Sequence, residues 1–120
     1  MNKVANLATR GRRPRSPSQI LDQLSTAVVI LDHDLRVSLM NTAAQNLFNC
    51  SFSQARGKKL ERLAIYPEEI KQNLKLSIDN EQPFTAREIE LKIPDYQSEL
   101  VDMTANLGNL SNALILEISL

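Results

Sequence analysis

Three segments near the C-terminal end of the chain alternate apolar and polar side chains residue by residue. In TAREIELKI (85–93), Ile89, Leu91 and Ile93 alternate with Glu88, Glu90 and Lys92. In ELVDMTANL (99–107), Val101, Met103, Ala105 and Leu107 alternate with Asp102, Thr104 and Asn106. In NALILEISL (112–120), Leu114, Leu116, Ile118 and Leu120 share one face. A period of two belongs to a strand, and clean alternation means one buried and one wet face. That is the habit of antiparallel sheets. Pro94-Asp95 and Gly108-Asn109 punctuate the segments as turns. The chain must therefore build an antiparallel sheet and supply something to cover one side of it.

The covering elements precede those strands. AVVILD (27–32) is a β-branched run and reads as a buried strand. RVSLM (36–40) is its hairpin partner across the polar turn Asp32-His33-Asp34-Leu35. Asn41 caps a helix, TAAQNLF, with Ala43, Ala44, Leu47 and Phe48 at helical spacing. Ser51 and Gln54 form a capping box for one more helical turn, which Gly57 ends. KKLERLAI is a short helix burying Leu60 and Leu63, and Pro67 opens a longer one to about Asn80 with Ile70, Leu74 and Ile78 inside. At the N-terminal end, Ser16-Pro17-Ser18-Gln19 opens a helix over 17–25 with an apolar stripe of Ile20, Leu21 and Leu24. Joining the two strand groups gives one five-stranded antiparallel sheet with helices over one face, an α+β architecture.

The totals exclude several classes. With 120 residues there is one domain, 17–120, preceded by an arm over 1–16. No apolar run approaches the ~18 residues of a membrane span, and no apolar stretch follows the basic N-terminus as it would in a secretory signal. A lone cysteine cannot form an internal disulfide, which fits a reducing cytoplasm. One cysteine and one histidine also speak against a zinc site. The zero net charge conceals a split: residues 1–17 carry Lys3, Arg10, Arg12, Arg13 and Arg15 and no acid, while residues 18–120 carry nine basic and fourteen acidic residues. The arm reads as flexible and basic, able to touch nucleic acid or an acidic surface. A solvated tail is the simpler reading, and no nucleic-acid partner is expected.

The run AVVILDHDLRVSLMNTAAQNLF resembles a PAS domain. In that family an apolar strand ends in Asp, a second strand ends in Asn, and a helix with small residues follows; Asp32, Asn41, Ala43 and Leu47 fill those places, and Gly57 fits a later glycine. The resemblance covers about 20–120 and implies the strand order 2-1-5-4-3. QILDQLSTAVVILDHDLRVSLMNTAAQNLF, with QPFTAREIELKI further on, is similar to the N-terminal sensor domain of the nitrogen-regulation histidine kinases, the NtrB or GlnL family. The narrower resemblance implies a two-component parent that phosphorylates its own histidine, passes the phosphate to a response regulator, and answers to the PII signal protein. These 120 residues hold no HEIKNPL-like histidine box and no glycine-rich ATP motif, so the chain itself is expected to be non-catalytic. A flavin- or haem-binding PAS sensor and the PAS module of a transcription regulator are the rival readings.

The resemblance also bears on individual residues. Asn49-Cys50-Ser51-Phe52-Ser53-Gln54 looks like the NCRFLQ of flavin-binding light sensors, yet aligning on Asn41 and Gly57 puts Leu60 where their reactive cysteine would be. Cys50 is then an ordinary thiol. His33 lies in a turn, and the long helix, where PAS haem ligands lie, has no histidine. An aromatic-poor, Leu/Ile-rich interior favours a filled core over a cofactor pocket, so no cofactor is expected. Any small-ligand pocket between sheet and long helix would be lined by Ile30, Met40, Leu74, Met103 and Leu116. The acidic pairs Glu68/Glu69, Glu88/Glu90 and Asp32/Asp34 each have a structural explanation, at a helix start, on a wet strand face and in a turn. The stripe Ile20, Leu21 and Leu24 needs a partner. PAS domains of kinases commonly pair through such a helix, so a homodimer is expected, with Val29 and Ile115 as exposed sheet positions completing the interface.

Overall fold

The computed structural model describes residues 25–108 and 113–120. The basic arm, all of the expected N-terminal helix but Ser25, and its stripe Ile20, Leu21 and Leu24 lie outside the described residues. The elements run β1 (Ala27–Leu31), β2 (Val37–Met40), α1 (Thr42–Phe48), α2 (Phe52–Ala55), a 3-10 turn (Leu60–Arg62), α3 (Glu68–Asn80), β3 (Phe84–Lys92), β4 (Ser98–Leu107) and β5 (Leu114–Ser119). The strands form one antiparallel sheet in the order β2-β1-β5-β4-β3.

The alternation in the last three strands puts one set of side chains inside. Ile89 and Leu91 of β3, Val101, Met103 and Ala105 of β4, and Leu114, Leu116 and Ile118 of β5 are all buried. They join Ala44, Phe48, Leu60, Leu63, Ile70 and Leu74 from the helical layer in one cluster. Leu120 follows the end of β5 and is 82% exposed rather than sharing that face.

Local signals act where the residue types place them. The Asp32 Oδ1 accepts from Asp34 N at 2.9 Å and Arg36 N at 3.0 Å, tightening the β1–β2 turn. Ser51 Oγ accepts from Gln54 N while Gln54 Oε1 accepts from Ser51 N, both at 3.3 Å, a closed capping box. Asn49 ends α1 with φ 53, the left-handed geometry that Asn tolerates. Pro67 stands at the start of α3, where its missing N–H costs nothing.

β3 contains a bulge between Ala86 and Ile89, so that Arg87 and Glu88 oppose Asp102 alone. Glu88 adopts φ 55 there. Its N–H donates to Asp102 Oδ1 at 3.0 Å, and Arg87 Nη1 lies 3.6 Å from Asp102 Oδ2. One carboxylate thus holds the irregularity that keeps Phe84 and Ala86, on one side of it, in phase with Ile89 and Leu91 on the other.

Both edge strands are tied at one end. Ile65 and Lys92 exchange backbone bonds of 2.8 and 2.9 Å beside β3, and Val37 and the Gly57–Lys58 segment exchange two of 2.9 Å beside β2. Such pairing blunts the edges as templates for another chain.

Candidate functional site

The described residues contain no cluster of three or more His, Cys, Asp or Glu side chains able to hold a metal, and no described helix is long and apolar enough to cross a membrane. Catalytic geometry is likewise missing among the singled-out groups. His33 Nε2 sits 3.5 Å from Asp34 Oδ2 on a solvent-facing turn, and the half-buried Cys50 thiol donates to its neighbour's carbonyl, Ser51 O, at 3.5 Å. What the molecule offers instead is a junction and a surface.

The junction is Asn41. It is 1% exposed, and its side chain is bonded at both ends. Oδ1 accepts from Val28 N and Ala44 N at 2.9 Å each, and Nδ2 donates to Thr26 O at 2.8 Å. Its own N–H donates to Val28 O at 3.1 Å. One side chain therefore caps α1 and fastens the first strand beside the end of the second. A buried amide bonded through both its oxygen and its nitrogen fixes register, because slipping by one residue would break several of these bonds at once.

That register corrects two expectations. Val29 pairs with Met40 and Leu116 and is 0% exposed. It belongs to the core and is not an exposed sheet position. Ile30 pairs with Leu39 and Ile115 instead, and the three form a half-buried row across β2, β1 and β5 on the face away from the helices. Ile30 is therefore not an inward pocket residue. The physical reason is the unbroken apolar run Ala27–Leu31, in which neighbouring residues are equally suited to either face. Ile115 lies half-buried on the outer face, next to Asn106 of β4. Leu39 and Val28 are also on this face, Val28 being itself buried at 2%, and Leu100 of β4 stands exposed on it further along. Cross-strand pairing identifies both, and their own residue types do not.

The remaining pocket positions, Met40, Leu74, Met103 and Leu116, are all buried in the central cluster. Two concavities lie elsewhere. One, of about 500 Å³, is bounded by α1, the end of β5 and the β3–β4 turn, with Leu47, Tyr96 and Ile118 in its walls. The other, of about 250 Å³, lies beside the first half of α3.

The PAS-fold family model matches residues 15–107. The chain belongs to the PAS family. Its fold is similar to that of the PAS domain of nitrogen regulation protein NR(II) from Vibrio parahaemolyticus, with TM-score 0.70 and 22% identity over 88% of this chain and 98% of that one. It is also similar to a PAS domain from a two-component sensor histidine kinase, at TM-score 0.67 and 12% identity over 85% and 90%. A third likeness is to the photoactive yellow protein domain of the sensor histidine kinase Ppr from Rhodospirillum centenum, at TM-score 0.70 and 10% identity over 88% and 94%. No curated protein matches the chain by sequence at a significant level. The PAS sheet order expected from the sequence is the one observed.

Proposed function

We propose that this PAS domain is the sensory and dimerisation module of a cytoplasmic nitrogen-regulation sensor histidine kinase. In this reading a kinase core outside these 120 residues carries the phosphoacceptor histidine and ATP site, PII governs it, and a response regulator receives the phosphate. The observation that carries the reading is the run from Gln19 to Phe48, whose hairpin, Asp32 turn and Asn41 junction resemble the NtrB sensor domain. The likeness of fold to the NR(II) PAS domain supports it.

Dimerisation in this reading uses the outer face of the sheet. Leu39, Ile30 and Ile115 form an apolar row there, while the edges are tied by Ile65 and by the Gly57–Lys58 segment. A face that pairs with its own copy around a two-fold axis needs only one such row. The expected stripe Ile20, Leu21 and Leu24 would extend it. The coding sequence beyond the Leu120 codon tests the parentage: a histidine box followed by ATP-binding motifs is expected, and a DNA-binding domain in that place would overturn the assignment.

A further inference from the structure

The 250 Å³ cleft beside α3 combines charged, polar and apolar walls. Its helical wall carries Glu68, Lys71, Gln72 and Lys75 at i, i+3, i+4 and i+7, one face of a helix whose buried side is Ile70 and Leu74. Leu35 and Leu60, both buried, contribute apolar surface, and Lys59, Glu61 and Tyr66 stand opposite. Within this ring Lys71 Nζ lies 2.6 Å from Glu61 Oε1, so those two charges satisfy each other. That hydrogen bond and the attraction between the pair hold Glu61 below and Lys71 above their ordinary pKa values.

Four charges in the ring lack a fixed counter-charge among the described residues: Lys59, Lys75, Glu68, and Asp34, which meets only His33 at 3.5 Å. Lys59, Lys75 and Glu68 have no ion-pair or hydrogen-bond partner among the described residues, nor has the Tyr66 hydroxyl a hydrogen-bond partner there. The phenol is pushed up to about 12, first by burial and then by the Glu61 and Glu68 carboxylates. Like an ordinary phenol, it stays protonated at neutral pH and able to donate. An apolar ligand would strip water from these groups and return nothing. An anion alone would leave Asp34 and Glu68 unmatched, and a cation alone would leave the lysines so. A compact molecule with both charges matches both sets, and the volume is below that of pockets for drug-sized ligands, ~300–1,000 Å³. A quaternary ammonium offers Glu68 no N–H and wants several aromatic faces, where the cleft has Tyr66 alone.

We infer that this cleft binds a small zwitterion, a free α-amino acid, with its ammonium toward Glu68 and its carboxylate toward the free lysine ammonium groups. The cleft shares no residue with the outer-face row, so this inference and the dimer are tested separately.

The test is a titration of the intact 15N-labelled chain with the free protein amino acids singly, read by amide chemical shifts. At least one amino acid is expected to give saturable shifts centred on Lys59, Tyr66, Lys71 and Gln72. Glu68→Gln and Lys75→Met should each weaken it about tenfold, the scale of one lost charged hydrogen bond. Asn46→Ala, in the other concavity, should bind as wild type. The N-acetylated and carboxamide forms of the same amino acid, and glycine betaine, should fail on the wild-type chain, a readout that needs no variant to fold. The inference is overturned if no amino acid saturates, if shifts centre elsewhere, if the blocked forms bind equally, or if both substitutions leave the affinity unchanged.

Discussion

Leu116 and Ile115 are neighbours in β5 with isomeric side chains, yet they live on opposite sides of one sheet. Leu116 lies between Val29 and Ala105, with 0% exposure under the helical layer. Ile115 lies between Ile30 and Asn106 and is half-buried. The inner face is apolar throughout the central cluster, from Ala27 to Ile118. The outer face is apolar along Leu39, Ile30 and Ile115 and turns polar through Glu117, Thr104 and Thr85, with the exposed Leu100 of β4 standing apart. Burial on the inner face is what makes the domain fold. A bounded apolar row on the other face adds little to folding and is the kind of surface that another protein covers.

The largest effect should come from emptying the inner face. Leu116→Ala is expected to cost about 3 kcal/mol in urea unfolding, the usual range for a fully buried leucine, whereas Ile115→Ala should cost about 1 kcal/mol. Equal losses would erase the distinction between the faces. Next comes the junction that sets which residue of β1 faces which way. Asn41→Ala strands Val28 N, Ala44 N and Thr26 O and should cost about 2 kcal/mol. Weakened amide-exchange protection should then concentrate in β1 and α1, and a uniform loss would argue against a local register lock. Asp102→Ala removes the acceptor of the β3 bulge and should cost about 1 kcal/mol, with exchange rising at Glu88.

The smallest effect is one of pH. Tyr66 titrates near 12 in the folded chain against its ordinary value of 10.0, so folding favours the neutral phenol. Its contribution is whole below pH ~10 and is lost as the pH climbs toward ~12. Urea midpoints of wild type should therefore fall more steeply over that interval than those of Tyr66→Phe; parallel curves would contradict the assignment.

Much of the fold was legible because three strands alternate cleanly and because each turn or cap uses a residue with a local reason to be there. Asp32, Asn41, Ser51 and Gln54 announce their bonds through chemistry that acts within a few residues. The face of Val29 and Ile30 was not legible. In a run of five apolar residues no polar side chain marks the wet side, and the deciding bonds come from Asn41, thirteen residues beyond Val28. The bulge at Arg87–Glu88 was hidden for the same reason: its acceptor, Asp102, is fourteen residues beyond Glu88, on the next strand. The cleft beside α3 was invisible as a site because Glu68, reading as a helix-start acid, had its own sufficient explanation in isolation.

The central claim, that the outer face is where this domain meets its own copy, is open to sedimentation velocity on the wild-type chain and on Ile115→Asp, with urea unfolding of both as the check on folding. The account predicts a wild-type dimer and a folded Ile115→Asp monomer. A wild-type monomer, or a dimer that survives the aspartate, would contradict it.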